Sequence, residues 1–161
     1  MVVKPRIRGF ICTTAHPLGC ARHVKEQVDY VQDNSGLDQG DFKNVLVLGC
    51  SGGYGLASRI VAGFGAGAST LGVSLEKEPT DSKTASAGWY NNLAFEKHAN
   101  KEGLYAKTIN ADAFSDETRQ QVLETIKQDL GKIDLVVYSL SLIHISEPTR
   151  PRLISYAVFC L

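Results

Sequence analysis

Three glycines, Gly49, Gly53 and Gly55, follow the unbroken apolar run Val45-Leu-Val-Leu48 and lead into a helical stretch that continues to Phe64. At a strand-to-helix junction, residues without side chains let an anion reach free backbone N–H groups and the positive end of the helix dipole. That is the chemistry of pyrophosphate binding. The spacing Gly-x-x-x-Gly-x-Gly differs from Gly-x-Gly-x-x-Gly and is the variant associated with short-chain reductases. The competing reading is a tight turn in which glycine only permits unusual dihedrals. An acidic residue, Glu76, follows at the end of the next apolar run, about 20 residues past the last glycine, where a dinucleotide site needs a carboxylate for the adenosine ribose hydroxyls. A carboxylate there repels a 2′-phosphate, so NADH is expected over NADPH. Lys77 acts the other way, since a cation beside the ribose pairs with that phosphate, and a solvated loop is the alternative for both residues. Asp112, in Asn110-Ala-Asp-Ala113, is placed either to hydrogen-bond an adenine amino group or to form or cap a turn.

Such residues need a scaffold that brings strand ends to one edge. A strand over Arg8–Thr14 and a helix over Cys20–Asp33, with Val24, Val28 and Val31 at helical spacing, precede the main unit. After the turn-rich connector Asn34–Gly40, strands are predicted over Val45–Leu48, Ser69–Leu75, Leu104–Ile109 and Ile133–Ser139. Helices are predicted between them over Gly53–Phe64, Ala85–Lys101 and Asp116–Leu130, the last with Ser115 or Asp116 as N-cap and Gly131 as its stop. Strand–helix alternation implies an α/β, doubly wound parallel sheet of the Rossmann, short-chain-reductase-like kind, ending after the fourth main strand.

The composition suits a single folded unit. The 161 residues carry 17 Lys plus Arg against 17 Asp plus Glu and are 43% hydrophobic, which excludes a disordered or fibrous chain. Zero net charge supplies no electrostatic reason to expect nucleic acid or an anionic membrane as partner, and no apolar stretch approaches a spanning helix. The N-terminus lacks the pattern of a signal peptide. Cys12, Cys20, Cys50 and Cys160 form no Cys-x-x-Cys pair and read as reduced thiols of a cytoplasmic protein. Cys12, His16, Cys20 and His23 are close in sequence, but their spacing matches no structural-zinc pattern, so no metal is expected.

Several blocks go beyond a general dinucleotide fold: KPRIRGFICTTAHPLGC, VLVLGCSGGYGLASRI, TLGVSLE, AGWYNN with AFEK, GLYAKTINADAFSDE and LGKIDLVVYSL. Together they resemble the N-terminal part of the NADH-dependent trans-2-enoyl-CoA reductases, the FabV type of enoyl-acyl carrier protein reductase, over about residues 1 to 140. The resemblance implies a larger enzyme that transfers hydride from NADH to the β-carbon of an enoyl thioester, carried by acyl carrier protein or CoA, in fatty-acid synthesis. It implies that Gly49, Cys50, Ser51, Gly52, Gly53 and Tyr54 meet the pyrophosphate and that Leu75 and Glu76 meet the adenosine ribose. Asp112 and Ala113 would meet the adenine, and Leu140 would lie near the nicotinamide ribose. Glu76 corresponds to the family's position for telling NADH from NADPH. The chain departs from the family's small, hydroxyl-bearing residues after the first glycine, and the missing hydroxyl at Gly52 is expected to cost one phosphate contact.

Enoyl reduction also needs a proton donor, which the family supplies as a Tyr followed nine positions later by Lys. Tyr30, Tyr54, Tyr90, Tyr105 and Tyr138 are followed at that distance by Gln39, Gly63, Ala99, Phe114 and Glu147, so no catalytic pair is expected in this chain. The segment Leu140–Arg150 resembles the conceptual translation of a transposon-end sequencing adapter, and Ile154–Leu161 that of a flow-cell adapter. The expected organisation is therefore a strand–helix extension (1–40), an NAD-binding Rossmann portion (41–140) and a non-native tail (141–161). The alternative function is a non-catalytic NADH-binding module.

Overall fold

The computed structural model describes residues 4–12, 14–38, 40 and 42–140, and the tail expected to be foreign lies outside them. The chain opens with an antiparallel hairpin, β1 (Ile7–Arg8) and β2 (Ile11–Cys12), rather than the single strand expected over Arg8–Thr14. The physical reason is Gly9, whose φ of 63° turns the chain back on itself. Helix α1 (Pro17–Asn34) starts earlier than the apolar spacing predicts. Its extra turn is organised by His16, whose Nδ1 accepts the Gly19 N–H at 3.2 Å, and by Pro17, which needs no N–H partner at the first helical position.

The main sheet contains β3 (Asn44–Leu48), β4 (Ser69–Ser74), β5 (Ala106–Asn110) and β6 (Leu135–Tyr138), all parallel, in the order β5-β4-β3-β6. Between them run α2 (Gly53–Ile60), which continues as a π turn through Gly65, then α3 (Ala87–Lys101), then α4 (Asp116–Thr125), followed by a second π turn to Leu130. Ser115 caps α4 by accepting the Thr118 N–H, and Gly131, at φ 76°, ends the segment as expected. This is half of a doubly wound sheet plus the first strand of the other half, so the order reverses between β3 and β6.

Alternation along β3 divides the core in two. Val45 and Val47 pack with Ala62 and Ala68, while Leu46 and Leu48 face the opposite layer with Val122, Ile126 and Leu130. On the α2 side, Val24 and Val28 of α1 join Leu56, Ile60, Ala94, Phe95 and Ala99 in one apolar cluster, and Val31 packs against it. The helix outside the repeating unit thus buttresses α3. On β6, Leu135, Val136 and Tyr138 are exposed, the last two by 55% and 45%, so this edge strand presents apolar side chains to solvent.

Candidate cofactor site

Register brings the relevant strand ends level: Leu48 is opposite both Val73 and Tyr138, and Ser74 is opposite Asn110. The glycine loop leaves β3 at this edge. Gly49 takes φ 85°, and a Cβ there would overlap the Ser139 carbonyl, so the turn after β3 is closed by β6. A Cβ on Gly55 would overlap the Gly49 carbonyl, which makes this glycine the condition for α2 to pack against the end of β3. Gly53 differs: its φ is 51°, yet nothing lies within 4 Å of its Cβ direction. Gly52 also faces open space. The three glycines therefore divide the work into a tight turn, an open approach and a helix contact, as a dinucleotide loop requires.

Backbone donors divide in the same way. Gly49 and Cys50 give their N–H groups to the Val73 carbonyl at 2.8 and 3.3 Å, which fastens the loop to β4. The Leu56 N–H goes to the Gly52 carbonyl, and no side chain caps α2 at its N-terminus. By helical geometry the N–H groups of Gly53, Tyr54 and Gly55 have no acceptor within the helix. An anion at this end meets those donors and the positive end of the helix dipole. Tyr54 is exposed and Ser51 half-buried at the same edge.

Cys50, expected among the pyrophosphate-facing residues, is placed otherwise. Its side chain is fully buried beneath the loop, with Sγ 3.6 Å from Asn92 Oδ1 and 3.7 Å from Arg59 Nη1. Burial pushes the thiol above its ordinary pKa, against the pull of the Arg59 charge. With its N–H also engaged, Cys50 acts as an anchor of the loop and offers no side chain to a ligand. Among the described residues no group of three or more ligating side chains converges on a metal position.

Glu76 lies just beyond β4. Its N–H donates to Asn110 Oδ1 at 2.7 Å, and its carbonyl accepts from Asn110 Nδ2 at 3.1 Å. One carboxylate oxygen accepts the Ser51 hydroxyl and the other the Ser86 hydroxyl, each at 2.5 Å. Leu75 beside it is exposed. At the end of β5, Asp112 Oδ1 accepts the Phe114 N–H at 2.9 Å, the turn-forming geometry that was one of its two readings. Ala113 packs against the cluster of Leu71 and Val73. Leu140 is half-buried at the far side of the loop, where its Cδ2 lies 3.2 Å from the Cβ direction of Gly49.

Residues 2–81 match the family model described as the NAD(P)H binding domain of trans-2-enoyl-CoA reductase, and residues 83–157 match the trans-2-enoyl-CoA reductase catalytic region. The chain belongs to the trans-2-enoyl-CoA reductase family. An enoyl-acyl-carrier-protein reductase (NADH) of Pseudomonas fluorescens is 64% identical over 141 residues, which is 88% of this chain and 35% of the relative. A Clostridium trans-2-enoyl-CoA reductase in complex with NADH superimposes with a TM-score of 0.83 at 46% identity, over 88% of this chain and 35% of that one. The Treponema denticola trans-2-enoyl-CoA reductase in complex with NAD gives 0.80 at 51% identity, over 88% and 36%. The chain thus spans about a third of the length of the reductases it matches. No helix among the described residues is long and apolar enough to cross a membrane.

The structure gathers Gly49, Ser51, Gly52, Gly53, Tyr54, Gly55 and Glu76 at one edge, with Leu75, Asp112, Ala113 and Leu140 around them at the ends of β4, β5 and β6. Sequence reading missed Ser86, Gly88, Asn91 and Asn92, the face of α3 that meets the loop. Asn91 Nδ2 donates to the Ser51 carbonyl at 2.9 Å, and Asn92 Nδ2 donates to Ser74 Oγ at 2.9 Å. The signal was the Gly-Trp-Tyr-Asn-Asn block, which carried the resemblance without a role. Within that block the Tyr90 hydroxyl accepts the Ala85 N–H at 3.0 Å, tying down the approach to α3.

Proposed function

We propose that this chain is the NADH-binding front portion of a cytoplasmic enoyl thioester reductase of fatty-acid synthesis, with residues 41–140 carrying the nucleotide site and residues 1–40 supporting it. The observation that carries the proposal is the uncapped N-terminus of α2, opening beside the Glu76 carboxylate at the carboxyl edge of the parallel sheet. The residues fit the cofactor: a Cβ at Gly52 or Gly53 would meet open space, so the loop has room for a pyrophosphate there. NADH supplies a hydride to the β-carbon of the trans-2 double bond of an enoyl-acyl carrier protein or enoyl-CoA. The N–H groups of Gly53, Tyr54 and Gly55 hold the negative charge of the pyrophosphate, and Ser51 borders it. Glu76 accepts the adenosine ribose hydroxyls and disfavours a 2′-phosphate. Asp112 and Ala113 border the adenine, and Leu140 borders the nicotinamide ribose. No Tyr of the 161 residues is followed nine positions later by a Lys, the pair from which the Tyr would donate the proton.

The test is a fluorescence titration of the 161-residue chain with NADH and NADPH, beside an activity assay with a short trans-2-enoyl-CoA. The expected result is binding that favours NADH, loss of that preference in Glu76→Ala, and no turnover. Turnover appears when residues 1–140 are joined to the remaining part of the Pseudomonas fluorescens relative. Equal affinity for the two nucleotides sinks the Glu76 assignment. NADH binding with no turnover in the joined protein favours the non-catalytic NADH-binding module.

A further inference from the structure

Three segments meet at the Glu76 carboxylate: the glycine loop through Ser51, the chain leaving β4, and the first turn of α3 through Ser86 and Gly88. Ser86 is the N-cap residue of α3 by backbone geometry, yet its hydroxyl makes no capping bond to the helix. It donates to Glu76 instead, and it accepts the Lys77 N–H at 3.2 Å. The Ser86 N–H closes the same junction by donating to the Lys77 carbonyl at 3.0 Å. Gly88 makes the approach possible, because a Cβ there would overlap the Glu76 carboxylate and stand 2.7 Å from Ser51 Cβ. Asn110 fixes the Glu76 main chain from the other side.

We propose that Ser86 is a positioning residue for cofactor choice: with Ser51 it clamps the Glu76 carboxylate, so that the charge cannot turn aside for a 2′-phosphate. This rests on the assignment of Glu76 to the adenosine ribose. A carboxylate has two oxygens with about four lone-pair sites. The two serine hydroxyls use one site on each oxygen and leave one on each for the vicinal ribose hydroxyls. An unclamped glutamate has rotamers in which it swings into solvent, and in those it no longer repels a phosphate. The clamp therefore acts mainly on the affinity for NADPH.

The experiment compares dissociation constants for NADH and NADPH, read from nicotinamide fluorescence, in the 161-residue chain and its Ser86→Ala, Ser86→Gly, Ser86→Thr and Glu76→Gln variants, each with a thermal melt. Ser86→Ala is expected to shrink the NADH-over-NADPH preference roughly tenfold, the effect of losing one hydrogen bond to a charged group. Ser86→Thr, which keeps the hydroxyl, restores the preference. Ser86→Gly retains a well-tolerated N-cap and reports the missing hydroxyl if the alanine variant does not fold. A preference unchanged in Ser86→Ala and Ser86→Gly but lost in Glu76→Gln overturns the clamp and leaves the ribose assignment standing. A preference unchanged in Glu76→Gln, or no NADH binding by the unmodified chain, overturns that assignment and the clamp with it.

Discussion

The guanidinium carbon of Arg59 sits 4.4 Å from the centroid of the Phe95 ring, joining α2 to α3 directly beneath the glycine loop. Arg59 is fully buried, and none of the ion pairs among the described residues includes it. Its donors go to Thr70 Oγ1 at 3.2 Å, Thr108 Oγ1 at 2.8 Å and the Lys107 carbonyl at 2.9 Å, so one side chain ties α2 to β4 and β5. Burial pulls its pKa below the ordinary value, opposed by Cys50 and Glu96.

Removing this fork leaves buried acceptors without partners. Arg59→Met is expected to lower stability by about 3 kcal/mol in urea unfolding, more than the aliphatic replacement returns by packing. Arg59→Lys is expected to recover less than half of that, since an ammonium does not reproduce the planar set of donors. A methionine variant as stable as the parent would show that the network contributes nothing net.

The two kinds of glycine in the loop separate under substitution. Gly55→Ala forces a Cβ into the Gly49 carbonyl and is expected to cost about 1–3 kcal/mol or more by thermal unfolding, with loss of NADH binding. Gly52→Ser enters open space at an N-cap position and is expected to be neutral or stabilising by a few tenths of a kcal/mol. It also restores the hydroxyl that the chain lacks there and tightens NADH binding. Equal melting temperatures for the two variants would contradict the close packing of α2 on β3.

Acid sensitivity is expected from Asp134. The N–H groups of Lys43 and Asn44 donate to its Oδ2 at 2.9 and 3.1 Å and hold its carboxyl below the ordinary range, helped by Lys132. Asp129 is lowered too, first by the Tyr105 hydroxyl and then by Lys107. A carboxyl whose folded pKa is depressed binds its proton more weakly when folded, so its stabilisation is present above the ordinary carboxylate pKa of about 4 and is lost as the pH falls through the folded value. Melting temperatures of the parent should therefore begin to fall below about pH 4. Asp134→Asn should melt lower at neutral pH and show a flatter acid limb, and parallel curves for the two proteins would refute the assignment.

Much of the fold could be read from local pattern. The apolar run Val45–Leu48 ending in glycine, the helical spacing of Val24, Val28 and Val31, and Ser115 and Gly131 at the ends of one segment are all short-range signals that sterics and capping impose on their own neighbours. The same holds for the loop glycines and for an acidic residue one strand later, because an open helix end and a carboxylate at the neighbouring strand end follow from spacing along the chain. Tertiary structure decided what meets across the chain. Whether Cys50 faces a ligand or the core, and which serines hold Glu76, depend on α3 lying against the loop, and Ser86 is 35 residues from Ser51 in the sequence. Composition and periodicity report a residue's own backbone state, whereas the partner of a buried thiol, guanidinium or carboxylate is chosen by packing between elements, where position along the chain carries no information about distance.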